Sequence, residues 1–562
     1  MIATTQNMPD AALAAPIPAS RDACRDASRP AGVDVALLLE GGHPFARTGA
    51  PGWAARMIRA FPQTTFAIVL LADRPLDSGE GVDALPGNVL DLQTHFLHDE
   101  DPADAMPRLR ADEQAFAEAA RWHDLLRLRG HGGNAGNPGN ASHGQAGGHA
   151  QGGAAMRALI DELGDDGRLS EHAFLHSRAA WDTIVEQYRR YCTDVSFSDY
   201  IGTVRAIHRP LWRLARIAAT LMPARVYHAA STGYAGFLGT MLRYRHDRPL
   251  LVSQHAIQTR QHGIDPGYCR DLSLRFFASL GRVCYDAADE IVALYEGNRR
   301  RQVQDGAPAS RTRTIPNGID LPALAPLRAL RPAQVPQVLC LAGEVVPRKD
   351  VKTFIRAMLT VVRHCPDAQG WIAGPEDEDP EYARECRALV RSLGLAGHVR
   401  FVGARPIDEL LPQVGLLVLS SISEALPLPV LQAFAAGVPC VVTDVGACRE
   451  LIDGVGDEDM ALGAAGAVVR IGDAAALARE AVALLGDGER WRAAQRAAIV
   501  RAERYYTQHA TVASYRQLYQ HLAAKPHADA GGRGGVGRPV LPATPPAAER
   551  LSAGRCPFAG AP

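Results

Sequence analysis

The chain has 562 residues, 47% apolar and 22% charged, and its 60 Lys plus Arg against 61 Asp plus Glu leave a net charge of −1. That length exceeds what one hydrophobic core organises, so two domains with appendages are expected. The even charge balance argues against a nucleic-acid binder, whose footprint is usually basic.

Residues 1–31 are rich in Ala, Pro and Asp without a sustained period, and are expected to be disordered. They lack a basic segment followed by a continuous apolar core, so no secretion signal is read there. A first α/β block follows over 32–330. It opens on an apolar strand, Val33 to Leu39, and the loop Glu40-Gly41-Gly42, with a helical segment after Gly52. Phe66 to Leu71, Val226 to His228 and Leu250 to Ser253 read as further strands, with helices Asp182 to Tyr191 and Leu272 to Asp286 beside them. Residues 128–155, dominated by Gly, Asn, His and Ala, interrupt this block as an expected flexible insertion, because they bury too little apolar area to offset ordering. A second block over 331–525 alternates strands (Val338 to Ala342, Gly370 to Ala373, Val399 to Val402, Leu416 to Leu419, Val438 to Thr443) with helices Lys352 to His364, Tyr382 to Leu393 and Pro429 to Ala436. Short apolar strands alternating with amphipathic helices predict parallel sheets covered on both faces. Residues 526–562 are expected to form a disordered tail. No stretch of about 18 or more apolar residues predicts a membrane span. The ten cysteines contain no C-x-x-C pair and read as free thiols of a cytoplasmic protein. No metal site is expected.

Four strand-to-helix loops carry the candidate chemistry, since ligands of doubly wound sheets bind beyond the carboxyl ends of the strands. The first is Glu40 to Gly49, where Gly41, Gly42 and Gly49 permit close backbone approach to a ligand. In the second, His255 follows a strand and is placed to bond a sugar hydroxyl or move a proton. The third, Gly343 to Asp350, offers Arg348 and Lys349 to a diphosphate. The fourth runs from Ser420 into the helix at Pro429. It combines Glu424 with the N–H groups of Ala425, Leu426 and Leu428 at a helix start, an anion site, and sets Gln432 one turn further on. Simple turns, a structural histidine, a solvated charged turn and an ordinary helix cap are the bland alternatives for these same loops.

Several of these stretches resemble the family 4 retaining glycosyltransferases of the PelF type, which have the two-domain GT-B fold and build the Pel exopolysaccharide. Pro316-Asn317-Gly318-Ile319-Asp320, Val346 to Ile355, Ser421 to Ala425, Ala435 to Pro439 and Thr443 to Ile452 are similar to the family's motifs, and Glu40-Gly41 with Pro44, Phe45 and Arg47 to its front loop. The resemblance covers roughly residues 33–523. It implies a UDP-sugar donor held by the C-terminal domain without a metal or other cofactor, Lys349 on the diphosphate, Glu424 near the donor sugar, and retention by front-face attack. It further implies a polysaccharide acceptor and partners among inner-membrane polysaccharide synthase subunits. Three positions depart from the family: Gln432 replaces the second acid of its E-x7-E motif, Glu344 replaces an Arg, and 254–262 is altered. They keep two other functions in view, a nucleotide-sensing subunit of the synthase complex and a transferase for another glycan.

Overall fold

A computed structural model of the chain describes residues 32–41, 49–72, 86–97, 163, 169–191, 195–255 and 269–525. The expected disordered ends (1–31 and 526–562) and insertion (128–155) lie outside the described residues.

The first domain is built on β1 (Val33–Glu40), β2 (Phe66–Ala72), β3 (Val89–Phe96), β4 (Ala224–Ala229), β5 (Leu250–Gln254), β6 (Glu290–Ala293) and β7 (Thr312–Thr314). They form one sheet in the order β3-β2-β1-β4-β5-β6-β7. The second is built on β8 (Val338–Ala342), β9 (Gln369–Ala373), β10 (Val399–Gly403), β11 (Leu416–Leu419), β12 (Cys440–Thr443) and β13 (Gly466–Val469), in the order β10-β9-β8-β11-β12-β13. Every neighbouring pair is parallel. Both sheets therefore carry the doubly wound order, and each reverses direction at one switch point, between β1 and β4 and between β8 and β11. The cause is visible in burial. β2 is buried at all seven positions and β11 at all four, as strands covered by helices on both faces must be.

The helix Val351–His364 shows how the cover is attached. Val351, Phe354, Ile355, Met358 and Val361 repeat at helical spacing and are all buried against β8, β9 and β11. Full burial of each large apolar side chain contributes about 1.5–3 kcal/mol. In the helix Leu428–Ala435, Pro429 sits in the first turn as expected, and Gly437 closes the helix at φ +74°, its N–H reaching the carbonyl of Phe434.

The chain crosses between the domains twice, and the crossings run side by side. Ile319 N–H donates to the Tyr506 carbonyl at 2.9 Å, and Gln508 N–H returns to the Ile319 carbonyl at 2.9 Å. Gly318 is what permits this approach, because a Cβ there would stand 2.4 Å from backbone atoms of Thr507 and Gln508. Two expected boundaries shift as a result. Residues 321–330, assigned from the sequence to the first block, pack on the second: Leu324 is buried there and Arg328 binds the Ala435 carbonyl and Glu503. The last helix, Gln508–Ala523, assigned to the second block, returns to the first sheet. Its Tyr515, Leu518, Tyr519 and Leu522 are buried with Val35, Leu37 and Leu251. The physical reason is that these four side chains form one apolar stripe that β1, β4 and β5 leave room for on one face.

Candidate functional site

The two loops that flank the switch point of the second sheet meet. After β8 the chain turns at Gly343 (φ +149°) and passes through a short turn, Pro347–Lys349, to Asp350, which caps the following helix by accepting from Thr353 N–H. After β11 it runs through Ser420 and Glu424 into the helix Leu428–Ala435. Lys349 Nζ and Glu424 Oε1 are 2.6 Å apart, each side chain only 11% exposed, and Ser421 Oγ donates to the same carboxylate oxygen at 2.8 Å.

Local structure fixes this pair from several sides. Lys349 lays its stem over Gly343, where a Cβ would come within 3.1 Å of Cε. Ser420 Oγ donates to the carbonyls of Lys349 and Asp350, both at 2.9 Å, and Ile422 N–H to that of Arg348. On the other side Thr443 Oγ1 holds the Ser421 carbonyl at 2.6 Å. Gly446 lies so close beneath the loop that a Cβ would stand 2.3 Å from the Glu424 carbonyl oxygen. Cys448 sits buried beside the pair, and burial together with the charge of Glu424 pushes its thiol well up, so it is no nucleophile at neutral pH.

The remaining expected residues of this loop set fall around the pair. Leu426 is buried, Ala425, Leu428 and Gln432 half-buried. The N–H groups of Ala425, Leu426 and Leu428 donate to no backbone carbonyl among the described residues, which leaves them available at a helix N-terminus. Arg348 and Glu344, the cation and the acid of the β8 loop, stand 3.8 Å apart, so Glu344 is offset by its neighbour. Of the two, only Arg348 is expected near a diphosphate from the sequence. The result is a cationic amine, a carboxylate and free amides at one switch point, the geometry of an oxyanion or diphosphate site. Among the described residues no group of His, Cys, Asp and Glu is arranged to hold a metal ion.

On the first sheet, Glu40 ends β1 and accepts from Ala235 N–H, tying the switch point to the helix Tyr234–His246. Gly41 has φ +115°, which favours glycine, and its N–H bonds the Leu71 carbonyl. Gly49 opens the helix Gly49–Ala60. Gly42, like the altered stretch 256–262, lies outside the described residues.

His255, expected to bond a sugar hydroxyl or move a proton, is buried at the end of β5. It is 9% exposed, its ring lies on Trp53 with centroids 4.2 Å apart, and burial, with Arg56 nearby, depresses its pKa to about 3. It is neutral at physiological pH. Its Nε2 meets Ser253 Oγ at 3.0 Å, Ser253 Oγ meets His228 Nε2 at 2.8 Å, and His228 Nδ1 meets Tyr519 OH at 2.7 Å. The relay ties the end of β5 to the returning helix. No hydrogen bond or ion pair of a described residue links it to Lys349 or Glu424.

One contact escaped sequence reasoning. Glu450, on the helix Cys448–Asp453 of the second domain, accepts from the N–H groups of Glu296 and Gly297 at 2.9 and 2.6 Å. It thereby caps a helix of the first domain, Glu296–Gln304, whose own Tyr295 supplies no side-chain cap. Burial raises its pKa, and the two N–H bonds partly offset that. Gly297 allows the approach: a Cβ there would stand 3.0 Å from Glu450 Oε1. The signal was present as an acid inside the 443–452 motif, but nothing in the sequence identifies its partner across the domain boundary.

Residues 336–487 match the family Glycosyl transferases group 1, and residues 33–310 match a domain of unknown function, DUF3492. A GDP-mannose-dependent alpha-(1-6)-phosphatidylinositol monomannoside mannosyltransferase of Mycobacterium tuberculosis (strain CDC 1551 / Oshkosh) is 26% identical over 223 residues, 36% of this chain and 56% of that protein. The chain spans about half the length of the curated relatives it matches. Among solved structures, sucrose-phosphate synthase from Thermosynechococcus elongatus superposes with a TM-score of 0.53 at 17% identity, covering 87% of this chain and 99% of that one. HepE (Alr3699) of Anabaena, solved with UDP and glucose, gives 0.51 at 15% identity over 86% and 99%. The fold is that of two parallel-sheet, Rossmann-like domains with GT-B glycosyltransferases as structural neighbours.

Proposed function

With a glycosyl transferases group 1 domain over 336–487 as the premise, we propose that the chain is a retaining glycosyltransferase that moves a sugar from a UDP-sugar to a growing Pel-type exopolysaccharide at the cytoplasmic face of the inner membrane, in the service of a membrane synthase. The observation that carries the reading is the Lys349–Glu424 pair beside the free amides of Ala425, Leu426 and Leu428 at one switch point. In this reading Lys349 and those amides bind the leaving diphosphate, each well-placed donor contributing about 3–4 kcal/mol to the transition state. Glu424 lies against the donor sugar once Lys349 has turned to the phosphates, and Gln432 accepts from the ribose through its amide carbonyl. His255, neutral and buried, serves by orientation rather than by proton transfer. The charge needed is supplied by Lys349 and Arg348 without a metal ion.

Calorimetric titration of the purified chain with UDP, UDP-glucose, UDP-N-acetylglucosamine, UDP-N-acetylgalactosamine and GDP-mannose tests this. Saturable binding of the uridine compounds is expected. Binding of GDP-mannose alone would overturn the donor assignment and match the mannosyltransferase relative. Gln432, standing where an acid is expected, favours one second reading, a nucleotide-sensing subunit without turnover; binding of UDP-sugars with no release of UDP would support it.

A further inference from the structure

The first domain holds a cavity of about 290 Å3 that the donor chemistry does not use. It lies between the helices Arg270–Ala287 and Glu296–Gln304 and is floored by Thr232 and Gln254, which follow β4 and end β5. Those are carboxyl ends of strands, the edge on which such sheets take ligands. Its depth is neutral and polar. Gln254 Nε2 reaches Thr232 Oγ1 at 3.5 Å, while Gln254 Oε1 accepts from Tyr285 OH at 3.3 Å and from Gln302 Nε2 at 3.0 Å. These bonds fix the orientation of both amides, and they leave Gln302 Oε1 without a partner although Gln302 is only 1% exposed. An unpaired buried acceptor costs about 1–3 kcal/mol, so the site gains from any ligand that donates to it. Asn298, 4% exposed, adds a third amide, and the rings of Phe277 and Tyr285 supply apolar faces.

The charges around this cavity are already spoken for. Arg301 Nε pairs with both carboxylate oxygens of Asp305 at 3.1 Å, and Arg282 has partners of its own. A phosphate would find no uncommitted cation among these lining residues. Amides at depth, aromatic faces and a neutralised mouth match instead an uncharged polyhydroxylated ring, whose hydroxyls donate to amide carbonyls and whose C–H face packs on aromatics.

We propose that this cavity is a subsite for one sugar unit of the acceptor glycan, with Gln302 and Asn298 reading its hydroxyls and Phe277 and Tyr285 its apolar face. The proposal rests on the glycosyltransferase reading. The cavity is also coupled to the second domain, because Glu450 caps the helix that carries Asn298 and Gln302.

Gly281 gives a clean probe. It lines the cavity from the middle of its helix, and a Cβ there would meet only Thr232, at 3.7 Å, an ordinary contact. The full chain is titrated by saturation-transfer NMR with glucose, galactose and their N-acetylamino derivatives, each as the free sugar and as a linked disaccharide. UDP binding is measured on the same samples. At least one sugar is expected to bind the wild-type chain, and Gly281→Leu is expected to weaken it tenfold or more with UDP affinity unchanged. Gln302→Met, close in shape but without the amide, is expected to weaken it similarly and serves if Gly281→Leu melts early. Binding of no sugar, or equal binding by the wild type and both variants, overturns the subsite. Loss of UDP binding by the wild-type chain overturns the glycosyltransferase reading instead, so the two failures are told apart.

Discussion

Exchanging one charge at a time in the Lys349–Glu424 pair should move nucleotide affinity in opposite directions. At 2.6 Å, with both side chains 11% exposed, the mutual attraction is about 6 kcal/mol at an effective dielectric of about 20, largely offset by the desolvation of both ions. A diphosphate that takes Lys349 must displace Glu424. Glu424→Gln keeps the size of the side chain and the bond from Ser421 but removes the competitor, so UDP is expected to bind about tenfold tighter, the equivalent of ~1.4 kcal/mol. Lys349→Met removes a charged donor worth about 1.5–3 kcal/mol to a hydrogen bond, so UDP is expected to bind roughly ten- to hundredfold more weakly. Both variants leave one buried ion alone, which costs about 3–5 kcal/mol and should lower the melting temperature of both. Isothermal calorimetry with UDP, beside thermal melts, reads both effects. Equal weakening by the two variants would show that Glu424 is no competitor, and an unchanged Lys349→Met would remove Lys349 from the site.

Three further perturbations follow from the contacts between domains and from the buried relay. His255 is held neutral with a pKa of about 3 against an ordinary 6.5, so the native state binds fewer protons than the unfolded one. Its contribution to stability is full above pH 6.5 and is lost as pH falls from there toward 3; a His255→Gln variant should show a shallower acid loss in a melting-temperature profile. Glu450 has the opposite sign. Its native pKa is raised, so stability from this group falls as pH rises through the carboxyl range, and Glu450→Gln should flatten that slope while weakening the cap on Glu296–Gln304, seen as faster amide exchange at Glu296 and Gly297. Gly318→Ala would press a Cβ to 2.4 Å from the backbone of the second crossing, and no side-chain rotation relieves that. A loss above about 4 kcal/mol is expected in denaturant unfolding, and a loss under about 1 would show that the crossings can part freely.

The second domain was legible as far as Thr443 because its strands are short, mostly apolar and spaced by amphipathic helices, while β13 and the helices after it were not read. Val338–Ala342 and Leu416–Leu419 emerge at their expected bounds. The first domain was legible in its centre and lost at its edges. β3 carries Asp91, Gln93, Thr94 and His95 among its apolar residues and is half-exposed, and β7 is the three residues Thr312–Thr314, so neither shows the buried run that marked β1 and β2. The loops of the candidate site could be found because glycines and prolines punctuate them. What joins them could not: that Lys349 meets Glu424 across 75 positions, that Glu450 caps a helix of the other domain, and that Tyr519 completes a relay to His255 are tertiary facts. The Pro316–Asp320 motif, read only as a resemblance, has a physical cause in the close pairing of the two domain crossings at Ile319.

The central claim is that the Lys349–Glu424 switch point performs sugar transfer, and it is tested most directly by turnover. The purified chain, with membranes supplying acceptor, is incubated with radiolabelled UDP-sugars and with GDP-mannose, and labelled polymer and released nucleotide are counted for wild type, Lys349→Ala and Glu424→Ala. The account predicts polymer labelled from one UDP-sugar, lost by more than a hundredfold in both variants. Undiminished transfer by both variants, or labelling from GDP-mannose alone, would contradict it.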